Sequence, residues 1–317
     1  MSADPPGPVL ATLSQPRTAT SHRICVIADP HVVPNQTGTW KMAHRSEELF
    51  SRAIATANRL DPELTVLAGD LTADGTVASF ARVDELLEAL STPVLTIPGN
   101  HDVPKSFDDH AGPPTTFESR YDQLPTIREV GELGVFALNT AQAADNSLRS
   151  TWGGKVGDDS RQWLADMLAE TPCPIVVVHH NVGAPADSPG GKFQNFQLQD
   201  APAVADILTT AEVPLVMSAH HHLPAVLTHG VTTEIMSPAV CSYPQAMLTF
   251  DINSHGTTVR LVPLASGEKI VSSRHAAVTG KPLAAGIAEM VDRRIDSLPL
   301  YDGRSGTTSG SPPRHSG

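Results

Sequence analysis

Five short apolar segments, each followed at once by polar residues, constrain the fold of this 317-residue chain most strongly. They are rich in Val, Ile and Leu, and turn or charged residues bound each of them, which is typical of buried strands. Segments with helical spacing lie between them, such as residues 79–90, where Phe80, Val83 and Leu87 share one face. This alternation predicts an α/β fold with largely parallel strands. The five segments are ICVIA (24–28), LTVLA (64–68), VLTIP (94–98), IVVV (175–178) and LVMSA (215–219).

The pattern changes in the last third of the chain. Successive segments between residues 225 and 263 predict antiparallel strands that close a second sheet. Residues 283–298 predict a terminal helix. Both end regions are rich in Pro, Gly, Ser and Thr, a composition typical of disorder. The predicted units are a disordered segment 1–21, a domain 22–265, an extension 266–300 that contains the terminal helix, and a disordered segment 301–317.

Composition limits the classes of partner and compartment. The net charge of −12 argues against binding of long nucleic acid, because a phosphate backbone repels an acidic surface. No apolar run approaches the roughly 20 residues that span a bilayer, and residues 1–23 lack the features of a secretory signal. Cys25, Cys173 and Cys241 are widely spaced and predict buried thiols in a reducing compartment. We therefore predict a cytoplasmic protein without a membrane span, and a homodimer is compatible with the sequence.

Ligand-capable polar residues follow each of the five predicted strands. In chain order, the residues after the strands are Asp-Pro-His, Gly-Asp, Gly-Asn-His-Asp, His-His and three consecutive histidines. Because the carboxyl ends of parallel strands lie along one edge of an open sheet, we expect these residues to converge there. Oxygen and imidazole donors without a thiolate suit Mn, Fe or Zn. The candidate metal ligands are Asp29, His31, Asp70, Asn100, His179, His220 and His222.

These donors are too many for one ion and predict two divalent or trivalent ions that share one carboxylate. Paired ions about 3.5–4 Å apart suit phosphoryl chemistry, because they polarise phosphoryl oxygens and hold a hydroxide in line for attack. Gly69 and Gly99 would let the backbone turn sharply beside the ions. Adjacent side chains of an extended chain point in opposite directions, so His180 and His221 are expected to have structural or supporting roles. Asp74 is expected to cap the helix that follows it.

The ordered motifs DPH, GDLTADG, GNHD, HH and HHH make residues 22–265 resemble the calcineurin-like metallophosphoesterase superfamily. The likeness is greatest to its bacterial class III cyclic-nucleotide phosphodiesterases. The resemblance implies a four-layer α/β/β/α sandwich of two mixed sheets flanked by helices, with a metal site at the carboxyl ends of the strands. The chain departs from the family pattern at Ala219, where a glycine is usual, and at HNVGAP (180–185), where two prolines are frequent. We expect Ala219 to leave the ligands in place.

The resemblance also implies a role for each site residue. His101 would be the general acid that protonates the leaving oxygen, and Asp102 would orient His101. By motif, the first metal would bind Asp29, His31 and His222, the second would bind Asn100, His179 and His220, and Asp70 would bridge the two.

The resulting hypothesis is a metal-dependent phosphoric ester hydrolase in which a metal-bound hydroxide attacks a small phosphodiester such as a 3′,5′-cyclic nucleotide. A phosphomonoesterase or nucleotide pyrophosphohydrolase is the alternative among enzymes, and a non-catalytic interaction scaffold is the alternative of another class. Two long loops, 103–123 and 181–199, are expected to wall the substrate pocket. Their candidate phosphate contacts and base-stacking residues are Lys105, Arg120, Lys192, Phe193 and Phe196.

Overall fold

The computed structural model describes residues 6–104, 115–141, 154–185 and 197–304. Its strands are β1 (Val9–Leu13), β2 (His22–Ile27), β3 (Leu64–Ala68), β4 (Val94–Ile97), β5 (Thr126–Val130), β6 (Leu133–Ala137), β7 (Pro174–Val177), β8 (Leu215–Ser218), β9 (Ala225–His229), β10 (Thr232–Met236), β11 (Ala246–Asn253), β12 (Gly256–Pro263) and β13 (Tyr301–Asp302). Its helices are α1 (Ser46–Leu60), α2 (Val77–Leu87), α3 (Thr115–Glu118), α4 (Asp158–Leu168), α5 (Ala201–Thr210), α6 (Glu268–Val278) and α7 (Pro282–Asp296), with a 3₁₀ turn at Ala43–Arg45.

The described strands form two mixed sheets. One has seven strands in the order β13–β1–β12–β11–β2–β3–β4, and the other has six in the order β5–β6–β7–β8–β10–β9. Strands β2, β3 and β4 are parallel to one another, and so are β6, β7, β8 and β10. All five strands predicted from the apolar segments are therefore present and belong to the parallel parts of the sheets. Their carboxyl ends provide the two rows of turns that carry the predicted ligands.

Strand β2 shows how the sequence produces the layers. Ile24 and Val26 pack in the core between the sheets, whereas Cys25 and Ile27 face the helices α1 and α2 on the outer side. Both faces of the strand are covered, which explains why its sequence is continuously apolar. Full burial of each such aliphatic side chain stabilises the fold by about 1.5–3 kcal/mol relative to exposure. Helices α4 and α5 cover the outer face of the second sheet in the same way, so the predicted four-layer sandwich is confirmed.

The two end regions differ from the prediction. Residues 1–21 were predicted to be disordered, but Val9–Leu13 forms β1, which pairs with β12 and buries Leu10 and Leu13. Tyr301–Asp302 forms β13 on the other side of β1, while residues 305–317 lie outside the described residues. Composition averaged over these regions hid the short strands, because a strand of two to five residues adds little to a Pro- and Ser-rich average.

The antiparallel strands predicted in residues 225–263 are present as the pairs β9–β10 and β11–β12, but the prediction that they close a second sheet together is wrong. Strands β9 and β10 complete the six-stranded sheet, and β10 lies parallel to β8. Strands β11 and β12 instead pair with β2 and β1 in the seven-stranded sheet. Alternating apolar patterns report which faces are buried, but not which partner a strand chooses.

The predicted terminal helix is α7, which follows the unpredicted helix α6. Helix α7 packs Ile287, Met290 and Val291 onto Leu223, just after the three histidines. The Tyr243 hydroxyl donates to Asp292 at 2.8 Å, which ties α7 to the same side of the sheets. The extension is therefore placed against the predicted site. Among the described residues, the helices are all too short or too polar to cross a bilayer.

Candidate metal centre

The predicted ligands lie in the turns that follow the parallel strands, and most of these turns use unusual backbone conformations. Only a few per cent of non-glycine residues have positive φ. Each costs about 1–3 kcal/mol and persists only where the surrounding structure holds it, and such residues cluster at functional sites. At this site the left-handed conformation turns the chain back immediately after a strand. The five predicted ligands with positive φ are Asp29 (51°), His31 (45°), Asp70 (52°), His220 (70°) and His222 (57°).

One group of predicted ligands lies around His31. Its Nε2 atom is 3.4 Å from Asp70 Oδ2, 3.8 Å from Asp29 Oδ1 and 3.1 Å from His222 Nε2. His222 Nε2 is in turn 3.4 Å from Asp29 Oδ1. All four side chains are buried. Two carboxylates and two imidazoles thus direct their donor atoms at one small volume, as the motif assignment for the first metal requires.

A second group lies around His179. Its Nε2 atom is 3.5 Å from Asp70 Oδ1 and 3.3 Å from Asn100 Oδ1. The ring of His220 packs edge-on against that of His179 with centroids 5.1 Å apart. Asp70 therefore directs one carboxylate oxygen at each group. This is the arrangement expected of a carboxylate shared by two ions.

Two glycines make room for this carboxylate and its neighbour. A Cβ atom at Gly99 would lie 2.2 Å from Asp70 Oδ1, and one at Gly69 would lie 2.5 Å from His179 Nδ1. Gly69 also has a φ of 88°, which side-chain-bearing residues rarely adopt. The predicted sharp turn is present at Gly69, whereas the space at Gly99 is limited by the close approach of the backbone to Asp70.

The imidazoles are held in the form that can bind a metal. Burial lowers the pKa values of His31, His220 and His222 well below the usual range, and burial also lowers the pKa of His179. These rings are therefore neutral near pH 7. Hydrogen bonds on the far nitrogen fix two of them: His179 Nδ1 donates to the carbonyl of Ala68 at 2.8 Å, and His222 Nδ1 lies 2.7 Å from the Ser242 hydroxyl. Each then presents Nε2 to the site, as ligating histidines do.

The two carboxylates are close enough to influence each other. Burial, and then the charge of Asp70, raise the pKa of Asp29 well above its usual range. Burial works in the same direction on Asp70, but His179, His101 and Lys41 outweigh it and hold that pKa below its usual range. A cation between the two groups would favour the ionised form of both carboxylates. The donor types and their burial therefore fit a pair of metal ions.

Comparison with known proteins agrees with this geometry. The model of the calcineurin-like phosphoesterase family matches residues 22–224, more than half of the chain. The chain belongs to this family. The family is one of phosphoesterases and implies bound metal ions, in keeping with the clusters of ligand-capable side chains described above.

Three individual proteins that are similar to this chain have identities of 14–28% with it. A probable cyclic nucleotide phosphodiesterase from a Synechococcus species is 28% identical over 179 residues, which cover 56% of this chain and 65% of that protein, just under two thirds of its length. A second from Xenorhabdus bovienii is 25% identical over 185 residues, 58% of this chain and 70% of that protein. A dimetal phosphatase from Danio rerio superposes with a TM-score of 0.59 at 14% identity, covering 77% of this chain and 99% of the other. The last likeness concerns the fold alone.

Of the GNHD residues, Asp102 makes contacts that differ from those predicted. His101 is half-buried beside the site, and its Nδ1 donates to the carbonyl of Ala73 at 2.7 Å. Asp102 was predicted to orient His101, but its carboxylate instead accepts the backbone N–H groups of Leu71, Thr72 and Gly99 at 2.8–3.0 Å. These bonds join the turn after β3 to the turn after β4. The prediction that Asp102 holds the His101 ring is therefore wrong, and the carbonyl of Ala73 has that position.

Ala219 is accommodated directly before the turn that carries His220 and His222. Its methyl group is buried in the core between the sheets, and its N–H donates to the carbonyl of His179 at 3.0 Å. The left-handed residues at this turn are His220 and His222, so a glycine at position 219 is not needed for it.

The neighbours of the ligands require a partial correction. The prediction for His180 assumed that side chains alternate in direction along an extended chain, but β7 ends at Val177. The His180 ring lies 4.6 Å from the ring of His220, and it does not point away from the proposed ligands. Its Nδ1 is 2.9 Å from the Thr140 hydroxyl. Asp74 was predicted to cap α2, but the N-cap is Thr76, whose hydroxyl accepts the N–H of Ser79 at 3.2 Å. Asp74 instead accepts from the N–H and hydroxyl of Thr76 and so holds the capping residue.

We expect His221→Ala to retain metal and most activity. His221 is buried near α7, its pKa is lowered to about 3 by burial, and it belongs to no ligand-capable cluster among the described residues. Removal of its ring leaves the donor atoms of both groups in place. Metal content and hydrolysis of an aryl phosphodiester check this, and a severe metal defect would contradict it.

A cavity of about 260 Å³ opens over the two groups. Its wall includes Trp40 and Lys41, which the sequence analysis missed, and Lys281, Leu283 and Ile287 from the extension. No motif identifies these positions, since they approach the site only after folding. Of the predicted pocket residues, Arg120 pairs with Asp84 and contacts the Phe80 ring, which is not the predicted contact. Lys105, Lys192, Phe193 and Phe196 lie outside the described residues.

The buried carboxylate of Glu234 accepts hydrogen bonds from the loop that follows His179. Glu234 on β10 is 0% exposed and accepts from the N–H groups of Val182 and Gly183 at 3.1 and 2.9 Å. It also accepts from the Ser218 hydroxyl at 2.7 Å, and His229 Nε2 lies 2.9 Å away. The sequence held no signal for this role, because a lone glutamate in a strand looks like a solvent-facing residue.

We expect Glu234→Ala to lower the free energy of unfolding by about 3–5 kcal/mol, because it leaves buried donors without an acceptor. Urea denaturation measures this change. Glu129→Ala, at an exposed position of β5, is the matched control and should change stability by less than about 0.5 kcal/mol. Equal effects of the two substitutions would show that the buried network contributes little.

Proposed function

We propose that the chain is a dinuclear metal-dependent phosphodiesterase that hydrolyses a small phosphodiester such as a 3′,5′-cyclic nucleotide. The observation that carries the proposal is the position of Asp70, with Oδ2 3.4 Å from His31 Nε2 and Oδ1 3.5 Å from His179 Nε2. One carboxylate facing two separate imidazole groups has little structural purpose in a buried position unless cations compensate it.

The proposed ligand roles follow the two groups. The first ion would bind Asp29, His31 and His222, the second would bind Asn100, His179 and His220, and Asp70 would bridge them. Oxygen and imidazole donors suit Mn, Fe or Zn ions. When bound, such a pair polarises the phosphoryl oxygens and activates a water molecule.

The chain's own residues would complete the reaction. An oxygen from water forms the new bond to phosphorus, and the bond from phosphorus to the ester oxygen breaks. His101, protonated on both ring nitrogens, would give the leaving oxygen the proton of Nε2 and keep its Nδ1 proton on the carbonyl of Ala73. The proton that the attacking water releases would restore the protonated ring. The backbone N–H of His101 also donates to Asp70 Oδ1 at 2.7 Å, so the proposed acid and the proposed bridge are fixed relative to each other.

Substrate size and the relatives support a small phosphodiester. The cavity of about 260 Å³ would hold a compact ester or part of a nucleotide. A net charge of −12 disfavours long nucleic acid. The Synechococcus and Xenorhabdus relatives are named as probable cyclic nucleotide phosphodiesterases, which favours this diester class over monoesters.

A substrate panel tests the proposal. The full chain, loaded with Mn²⁺, would be assayed on 3′,5′-cyclic nucleotides, aryl phosphodiesters, aryl phosphomonoesters and nucleotide sugars. We expect about two ions per chain and highest kcat/KM on a diester. Preference for monoesters or for pyrophosphate bonds would replace the diester proposal with one of the alternative hydrolases. Substoichiometric metal with no hydrolysis would favour a non-catalytic scaffold.

A further inference from the structure

Lys41 brings a positive charge to the centre of the proposed site. Its Nζ atom is 3.1 Å from His31 Nε2 and 3.3 Å from His101 Nε2. It therefore lies between a proposed ligand of the first metal and the proposed proton donor. It also lines the cavity through which a substrate would reach them.

The surroundings of Lys41 fix its direction. The preceding residue, Trp40, packs its ring 5.1 Å from the ring of His222 and joins the apolar cluster of Leu223 and Ile287. The Lys41 ammonium lies 5.9 Å from the centre of the Trp40 ring. The following residue, Met42, is 3% exposed and has a φ of 49°. Both neighbours are thus anchored, and α7 supports the anchor on one side.

The positive charge of Lys41 is unfavourable for metal binding, but it is favourable for binding a negatively charged substrate. An ammonium next to His31 and close to two proposed cations raises the energy of the metal-loaded site by like-charge repulsion. A bound phosphoester would offset this repulsion, because negative charge on its non-bridging oxygens grows as phosphorus is attacked. A preorganised cation in a partly dehydrated cavity stabilises that charge more strongly than water does.

We propose that Lys41 is a substrate-binding residue, and that its ammonium pairs with a non-bridging oxygen of the phosphate at the proposed metal pair. The inference rests on the proposed function, and it adds the Lys41 ammonium to the two proposed metal ions as a third positive group at the site. A metal ion on His31 Nε2 would take the lone pair that Lys41 now approaches. The four-carbon stem of lysine allows the ammonium to turn toward His101 and the cavity, where it would meet the phosphate.

Binding of inorganic phosphate tests this directly, because phosphate resembles the reacting group and requires no turnover. Isothermal titration of Mn²⁺-loaded full-length chains would compare wild type, Lys41→Met and Lys41→Arg. We expect Lys41→Met to weaken phosphate binding by about tenfold to a hundredfold, the range for loss of a charged hydrogen bond. Lys41→Arg should retain most of the affinity. The matched control, Lys269→Met, removes a surface lysine that pairs with Glu48 and should leave affinity unchanged.

Manganese content and thermal unfolding of each variant separate substrate binding from a structural role. Unchanged phosphate affinity in Lys41→Met, or a loss of manganese that accounts for the weaker binding, would overturn the proposal. If Lys41→Met does not fold, Lys41→Gln against Lys41→Arg makes the same comparison of charge. If Lys41→Met binds phosphate more weakly than wild type, and the wild-type chain hydrolyses no ester, Lys41 is supported as a phosphate contact and the proposed function is refuted. If Lys41→Met hydrolyses the diester normally and binds phosphate normally, the proposed function is supported and the role of Lys41 is refuted.

Discussion

Asp70→Ala is expected to abolish phosphodiester hydrolysis and to lower the number of bound ions per chain. Asp70 directs an oxygen at each of the two ligand groups, so its removal takes a ligand from both proposed ions at once. Loss of a partner that only orients a ligand already costs about 10–100-fold in affinity or activity, and loss of the shared ligand should exceed that. Metal analysis and hydrolysis of bis(p-nitrophenyl) phosphate measure both effects.

Asp74→Asn is the matched control for Asp70→Ala. Asp74 is a nearby acid in the same motif, but it contacts Thr76 at the start of α2 and belongs to no ligand-capable cluster among the described residues. An asparagine retains the hydrogen-bond acceptor of this cap, so metal content and activity should be near those of wild type. Near-normal turnover in Asp70→Ala would end the dinuclear proposal.

His101→Ala is expected to keep the metal ions and lose most of the rate. The backbone N–H that donates to Asp70 survives the substitution, so the proposed bridge keeps this contact. Loss of a general acid typically costs about 10²–10⁴-fold. The deficit should be largest with alkyl leaving groups and smallest with p-nitrophenolate, since a stable leaving anion needs no proton.

The leaving-group series is the decisive measurement for His101. A general acid predicts a steeper dependence of kcat on leaving-group basicity in the variant than in wild type. His44→Ala, at an exposed histidine of the 3₁₀ turn, should leave the dependence unchanged. If His101→Ala lost manganese, or slowed all leaving groups equally, His101 would be a supporting residue rather than a proton donor.

Much of the fold and the ligand groups could be predicted because their signals are local. A buried strand needs a short apolar run, and the residue after it must lie at the edge of the sheet. This reasoning alone anticipated that Asp29, Asp70 and His179 would meet, although they are far apart in the sequence. The glycines at 69 and 99 were predictable for the same reason, as each directly precedes a residue of the site.

The rest depends on partners that no local pattern reveals. Trp40 and Lys41 reach the site from a loop, and Ile287 reaches it from a helix that the sequence does not link to the motifs. Asp102 was assigned to His101 from the family motif, but its carboxylate accepts buried backbone N–H groups of the turn after β3 instead. Glu234 was missed because the burial of a polar side chain follows from the opposing loop rather than from its own strand.

The neighbouring positions of β1 and β13 have a consequence for how the molecule is made. The Thr12 hydroxyl donates to Asp302 at 2.6 Å, so residues 290 positions apart share one edge of a sheet. Helix α7, which supports Trp40 beside the histidines, also belongs to the last part of the described chain. A ribosome must therefore synthesise almost all of this chain before the sheet edge can close and the cavity wall can form. Such long-range closure slows folding, because contacts between residues far apart in the chain form late.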